Sequence, residues 1–240
     1  MNLHMQEKNF SNKGNLKVDL FNAFMVEKAE YDGYYEIPYI PFIQNNFKIL
    51  NLVPYDKTSN YHFNDGDIVH FYLDDVKFDG TYGIWNNITY DNTKSKRGFQ
   101  ISRLLNATAV IAPDFSTYYD MPRIMQIWNI YRSRAFGYYL TTFGIKVIPN
   151  VRWTDKKSYK YAFCGIHTGS IVSVGTLGCS KSRKDKQFLI NGFIELIIRI
   201  KPSLIIIYGP IISELSYIIK KYNANIIQFD SAISIAHGDN

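Results

Sequence analysis

The sequence predicts an α/β protein with a mainly parallel sheet flanked by helices, either doubly wound or rolled into an incomplete barrel. Six short apolar runs carry this first: Ile68–Leu73, Ala107–Ala112, Ile145–Val151, Ser170–Gly175, Ser203–Tyr208 and Asn225–Phe229. Their length and near-continuous hydrophobicity are those of strands covered on both faces. A helix-compatible segment separates most successive pairs, and connections of that length suit crossovers rather than hairpins. Such alternation places helices against a parallel sheet. In either form, ligands bind beyond the carboxyl ends of the strands.

Residues 1–17 are polar and aperiodic and predict a flexible leader; 18–235 predict a single α/β domain and 236–240 a frayed tail. Leu20, Phe21, Phe24 and Met25 form a short helical pattern. Pro38, Pro41 and Pro54 bracket an irregular or edge-strand stretch, because proline cannot donate to a ladder. The first core strand stops at Asp74 and Asp75, and residues 76–97, with Lys94, Lys96 and Arg97, predict a long loop on the active face. Residues 98–106 predict a helical turn.

The stretch from Ile111 to Trp153 is the centre of the chain. Ala107–Ala112 is a strand, Asp114 and Ser116 lie in a polar turn, and Ser116 is an N-cap or turn candidate. Pro122 suits a first helical turn. Met121, Ile124, Met125, Trp128, Tyr131, Ala135 and Tyr139 then form one helical stripe. Gly144 fits a left-handed helix end, and the strand after it runs out at Arg152-Trp153.

Beyond Trp153, a short helix is expected with Tyr159, Ala162 and Phe163 inward. The strand Ser170–Gly175 opens into the basic turn TLGCSKSRKDK before a helix over 187–200 that Pro202 stops. A helix over 211–222 leads to the last strand, which ends at Asp230.

Two hundred and forty residues, 46% of them hydrophobic, can bury a substantial core. Cys164 and Cys179 match neither a metal spacing nor a disulfide framework, which implies a reducing cytoplasm. No run reaches the roughly twenty apolar residues of a membrane span, so no membrane partner is expected. A net charge of +6 favours a polyanionic partner, and 19 tyrosines and 16 phenylalanines supply stacking surfaces. An AT-rich coding sequence raises Lys, Asn, Ile, Tyr and Phe together, so the charge carries modest weight.

The strand ends select the candidate chemistry. Asp74, Asp75, Asp114 and Asp230 are candidate Mg²⁺ ligands, since hard cations take oxygen donors and phosphoryl chemistry uses the ion against developing charge; aspartate after a strand more often closes a turn. Asp114, Asp75 and Arg152 are the candidate catalytic group. Gly178, Lys181, Arg183 and Lys184 are the candidate phosphate-binding turn at a helix start, with a solvated basic rim as the alternative. Neither a P-loop nor a dinucleotide fingerprint is present. Arg132, Arg134 and Arg152 suit bidentate anion binding, or pairing with the strand-end aspartates. Cys179 is a possible nucleophile if the helix start lowers its pKa, with His167 as its partner; a buried, inert thiol is the commoner outcome. His70, inside an apolar strand, reads as a core histidine.

In order along the chain, HFYLDD, APDFSTYYDMP, QIWNIYRSRAFG, GIKVIPNVRW, SIVSVGTLGC and KPSLIIIYGP resemble the domain-of-unknown-function family numbered 4417, over roughly residues 40–210. The resemblance implies a phage or plasmid context and carries no catalytic residue with it. Three function classes stand: a mobile-element protein acting on nucleic acid or a nucleotide, by metal-assisted phosphodiester chemistry if it is an enzyme; a non-catalytic DNA- or RNA-binding replication-accessory protein; and a thiol-dependent small-molecule hydrolase or transferase.

Overall fold

A computed structural model describes residues 19, 22–89 and 94–231, apart from the side chains of 94–96. The expected leader and tail, and the side chains of Lys94 and Lys96, lie outside the described residues. After a single 3₁₀ turn (Ala23–Val26), β1 (Tyr31–Asp32) and β2 (Ile37–Pro38) form a small antiparallel ladder. The main sheet begins with β3 (Asn51–Pro54), β4 (Asp67–His70), β5 (Ala109–Ile111) and β6 (Val147–Ile148), all parallel and in that order. It continues with β7 (Ile171–Gly175), β8 (Leu204–Tyr208) and β9 (Ile226–Phe229), again parallel. A parallel bridge between Asn150 and Ser173 joins the two halves: Ser173 N–H donates to Pro149 O at 2.9 Å and Val151 N–H to Ser173 O at 2.8 Å.

The seven parallel strands therefore stand side by side in chain order. A doubly wound sheet needs a point where that order reverses, and this one has none. Right-handed crossovers between neighbours then put the helices on one face, which is the incomplete-barrel form of the expected α/β fold.

Alternation along each strand sorts the side chains. Ile68, Ala109, Ile111, Ile148, Ile171, Leu204 and Ile206 form one buried cluster on the inner face, with Leu52 of β3 and Ile227 of β9 against it. The intervening residues face the helices: Val69, Val110 and Val147 in one cluster, Val172, Val174, Ile205 and Ile207 in another. Each fully buried Ile or Val contributes about 1.5–3 kcal/mol, so a one-residue slip of any strand would forfeit several such contributions.

The helices are α1 (Val76–Asp79), α2 (Ile84–Thr89), α3 (Lys94–Ser102), α4 (Arg123–Thr141), α5 (Tyr159–Ala162), α6 (Arg183–Ile200) and α7 (Ser213–Lys221). The expectation of a long active-face loop over 76–97 is corrected. Phe78, Ile84, Trp85 and Ile88 are buried from short helices, whose pattern the glycines at 80 and 83 interrupt. Ser116 is also no N-cap: α4 starts seven residues later, just after Pro122. At its far end, Gly144 turns left-handed with φ +78° as expected. Helix α6 starts four residues earlier than its apolar pattern suggests, because Ser182 and Asp185 close a capping box: Ser182 Oγ accepts from Asp185 N–H and Asp185 from Ser182 N–H. Tyr159, Ala162 and Phe163 do face inward. Gly192 is required by packing, since a Cβ there would lie 2.0 Å from Trp153 Nε1.

Candidate functional site: a cleft at the carboxyl ends of the strands

Polar residues occupy the inner face where the apolar alternation ends. Continuing inward positions past Ile68, Ile148 and Ile171 gives His70 and Tyr72, Asn150 and Arg152, and Ser173 and Gly175. The Tyr72 ring lies over Gly175, where a Cβ would approach it to 2.8 Å, and stacks on Tyr208 with centroids 4.8 Å apart. Its hydroxyl donates to Asn150 Oδ1 at 3.0 Å and shares a 2.7 Å hydrogen bond with Ser173. Burial holds this phenol well above its ordinary pKa. Asn150 Nδ2 donates to Asp114 Oδ1 at 2.8 Å, and Arg152 Nη1 donates to Asp114 Oδ2 at 2.9 Å. Four strands thus converge in one connected network.

Asp114 raises the pKa of Arg152, and together they form an ion pair whose side chains are 12% and 22% exposed. Arg152 Nε and Nη2 make no hydrogen bond to the described residues, neither is a buried orphan, and Arg152 lines a cleft of about 640 Å³. Most of the walls come from three loops, with Asp74 after β4 and the first turns of α6 completing them. The one after β5 supplies Thr117, Tyr118 and Tyr119, and is pinned to α4 by Ser133 Oγ donating to Pro113 O at 2.7 Å. The one after β6 supplies Trp153, whose Nε1 donates to Phe188 O at 2.9 Å. The one after β7 supplies Gly178, left-handed at φ +75°, with Cys179 and Lys181. Tyr118 and Tyr119 are exposed, and the Lys184 ammonium sits 3.8 Å from the centre of the Tyr119 ring.

The expected groups are only partly gathered. Asp114 and Arg152 meet, and Asp75 lies close enough to Asp114 to feel its charge. Asp75 accepts from Ser116 N–H at 3.2 Å and Ser116 Oγ–H at 3.0 Å; burial raises its pKa against the effect of those bonds. The four-aspartate metal site is not assembled. Asp74 is exposed on the cleft rim and Asp230 is exposed at the end of the edge strand β9. Among the described residues no group of three or more His, Cys, Asp or Glu could hold a metal ion.

The phosphate turn keeps its cations but not its open helix end. Lys181 lines the cleft, Lys184 flanks it and Arg183 points to solvent, while the capping box already occupies the first free N–H groups of α6. The surroundings of Cys179 do not favour an activated thiol. Burial pushes the thiol up, Arg152 offsets this only in part, and the charges of Asp114 and Asp185 push it further up. His167 stacks on Tyr39, 4.4 Å away, and precedes β7 while Cys179 follows it, so the two sit at opposite ends of that strand.

Two of the arginines are structural. Arg134 is fully buried and donates to the carbonyls of Cys164, Asn150 and Ala162; its pKa falls to about 10 by burial. Arg132 pairs with Asp79 at 2.8 Å and lies 3.8 Å over the Phe115 ring. His70 is the core histidine expected: buried, accepting Tyr72 N–H on Nδ1, and lowered to about 4 by burial.

Sequence reasoning missed Tyr72, Asn150, Ser173 and Thr117. The signal for the first three was an inward position at the end of an apolar alternation; Thr117, in an irregular loop, had none.

A family model described as "Domain of unknown function (DUF4417)" matches residues 29–230, a span that contains the whole cleft. The chain is similar to the Gene 1 protein of Mycobacterium phage L5, 31% identical over 196 residues that cover 80% of this chain and 78% of that protein. It is also similar to the Gene 1 protein of Mycobacterium phage D29, 30% identical over 196 residues, 80% of this chain and 66% of that protein. No solved structure matches.

Proposed function

The chain belongs to the phage-associated DUF4417 family, and from that premise we propose that it is a mobile-element protein of the host cytoplasm that binds nucleic acid or a nucleotide in the strand-end cleft. One observation carries this reading. The cleft combines exposed aromatic residues, Tyr118 and Tyr119, with Lys181 and the unused edge of Arg152, and Lys184 flanks it over the Tyr119 ring. Bases stack on aromatic rings without sequence preference, and phosphates take cations and guanidinium edges. Among the described residues no helix is long and apolar enough to cross a membrane, in keeping with a partner in solution.

Binding comes before turnover in this proposal. Asp114 already accepts from Arg152 and Asn150, and Asp75 from Ser116, so a Mg²⁺ ion would have to share these carboxylates with existing donors, one of them the Arg152 cation. Anisotropy of a labelled short single strand, titrated at several salt concentrations, tests the reading. Binding should weaken steadily with salt and drop about tenfold or more in Tyr119→Ala, since stacking contributes about 1–3 kcal/mol per base. No association at low salt, with DNA or RNA, would remove the proposal. Mg²⁺-dependent cleavage that disappears in a folded Asp114→Asn variant would instead restore the phosphodiester reading.

A further inference from the structure

The cleft holds a specific electrostatic constraint and an unmatched donor. Thr117 lines it, yet the residue is only 6% exposed and its Oγ1 is buried with no hydrogen-bond partner. A buried hydroxyl left unpaired is costly, and native structures rarely tolerate one without a partner. Arg152 lines the same cleft with Nε and Nη2 unpaired. An acceptor that satisfied both would carry oxygens on a small centre, as a phosphate does.

Charge decides which phosphate. The ionisable carboxylates and cations lining the cleft are Asp74, Asp185, Arg152 and Lys181, two of each sign, and Asp114 already compensates Arg152. A phosphomonoester carries about −1.5 to −2 at neutral pH, whereas a diester carries a single charge. The second charge would face Asp74 and Asp185, and among the described residues lining the cleft no cation besides Lys181 is left to meet it, Lys184 standing outside over the Tyr119 ring.

Resting on the nucleotide reading above, we infer that the inner cleft is a phosphodiester subsite, in which Thr117 and the free edge of Arg152 hold one monoanionic internucleotide phosphate and discriminate against terminal phosphomonoesters. The ligand class is then an internal stretch of a strand, or a diester-linked nucleotide, rather than a nucleoside monophosphate. Tyr118 and Tyr119 flank the site as surfaces for the adjoining bases.

The test is calorimetry of the intact chain with each of the four deoxynucleoside 5′-monophosphates and with its 5′-methyl phosphate ester, which differs by one methyl group and one charge. The esters should bind about tenfold more tightly than their parents, as expected from the removal of one repulsive charge pair. Thr117→Val should weaken ester binding while leaving the melting temperature unchanged or higher, because it deletes the orphan donor. Arg152→Lys, which keeps the charge opposite Asp114 but not the planar edge, should weaken it also. Parents that bind as well as or better than their esters, or a Thr117→Val variant with full ester affinity, overturn the subsite while leaving the nucleotide reading intact. Failure of every nucleotide and ester, together with failure of the single strand, overturns both.

Discussion

Arg152 and Asp114 meet through one hydrogen bond of 2.9 Å, from Nη1 to Oδ2, and that bond ties the segments that follow β5 and β6. The other Asp114 oxygen accepts from Asn150 Nδ2 at 2.8 Å. Both carboxylate oxygens are therefore committed, and the pair leaves only one side of the guanidinium free.

Asp114→Asn should cost about 3 kcal/mol, the lower end of the range for removing one partner of a buried ion pair. An amide cannot accept on both sides, so one of the two donors facing residue 114 loses its partner. Urea unfolding measures this, and the double variant Asp114→Asn/Arg152→Met should recover most of the loss. A double variant less stable than the single one would mean that Arg152 is held by something other than Asp114.

His70 sets part of the acid stability. Its folded pKa of about 4 lies below the unfolded value, so the unfolded chain binds the extra proton. Stability contributed by the neutral ring is complete above pH ~6.5 and is lost as pH falls toward 4, by about 3 kcal/mol in all. His70→Asn keeps an acceptor for Tyr72 N–H and does not titrate. Between pH 7 and pH 4 the variant should lose about 3 kcal/mol less than the wild type; parallel stability profiles would contradict a buried neutral imidazole.

Cys179 should resist alkylation at pH 7. Burial and two nearby carboxylates favour the thiol over the thiolate, and only the thiolate is nucleophilic. Iodoacetamide labelling, followed by mass spectrometry of the native chain, should be slower at Cys179 than for a free cysteine model compound and should accelerate only at alkaline pH. Rapid labelling at pH 7 would reopen the thiol-dependent hydrolase or transferase reading.

Arg134→Met should cost at least about 4 kcal/mol, because three carbonyls lose their donor in a site with no exposed surface. One of the three, Asn150 O, belongs to the residue that reaches Asp114. The variant should therefore lose ligand affinity along with stability, and unchanged binding in a folded variant would separate the two.

The strands and the location of the site were legible because both follow from local chemistry. The apolar runs announced six of the seven parallel strands, and the rule that ligands bind beyond strand ends selects both Asp114 and Arg152 from the sequence. Strand β3 was legible only as an edge segment, since Leu52 and Val53 are its only large apolar residues before Pro54. The helices over 76–89 were hidden because Gly80 and Gly83 break the apolar period that Phe78, Ile84, Trp85 and Ile88 supply. Thr117 was illegible for a different reason. Whether a threonine hydroxyl is buried and unmatched depends on three-dimensional surroundings that no spacing encodes. The four aspartates likewise share a strand-end position, but two of them lie exposed, one on the cleft rim and one at the sheet edge.

Strand order that copies chain order also bears on how the molecule is made. A chain emerging from the ribosome offers each new strand a docking edge that has already been synthesised, and no strand after the first must wait for a later one. Each closure spans a single crossover, the least a parallel sheet allows, so the sheet can grow strand by strand from the amino end. The Asn150–Ser173 bridge is the step in that growth that joins the two halves, so the floor of the cleft forms only once β7 has been delivered.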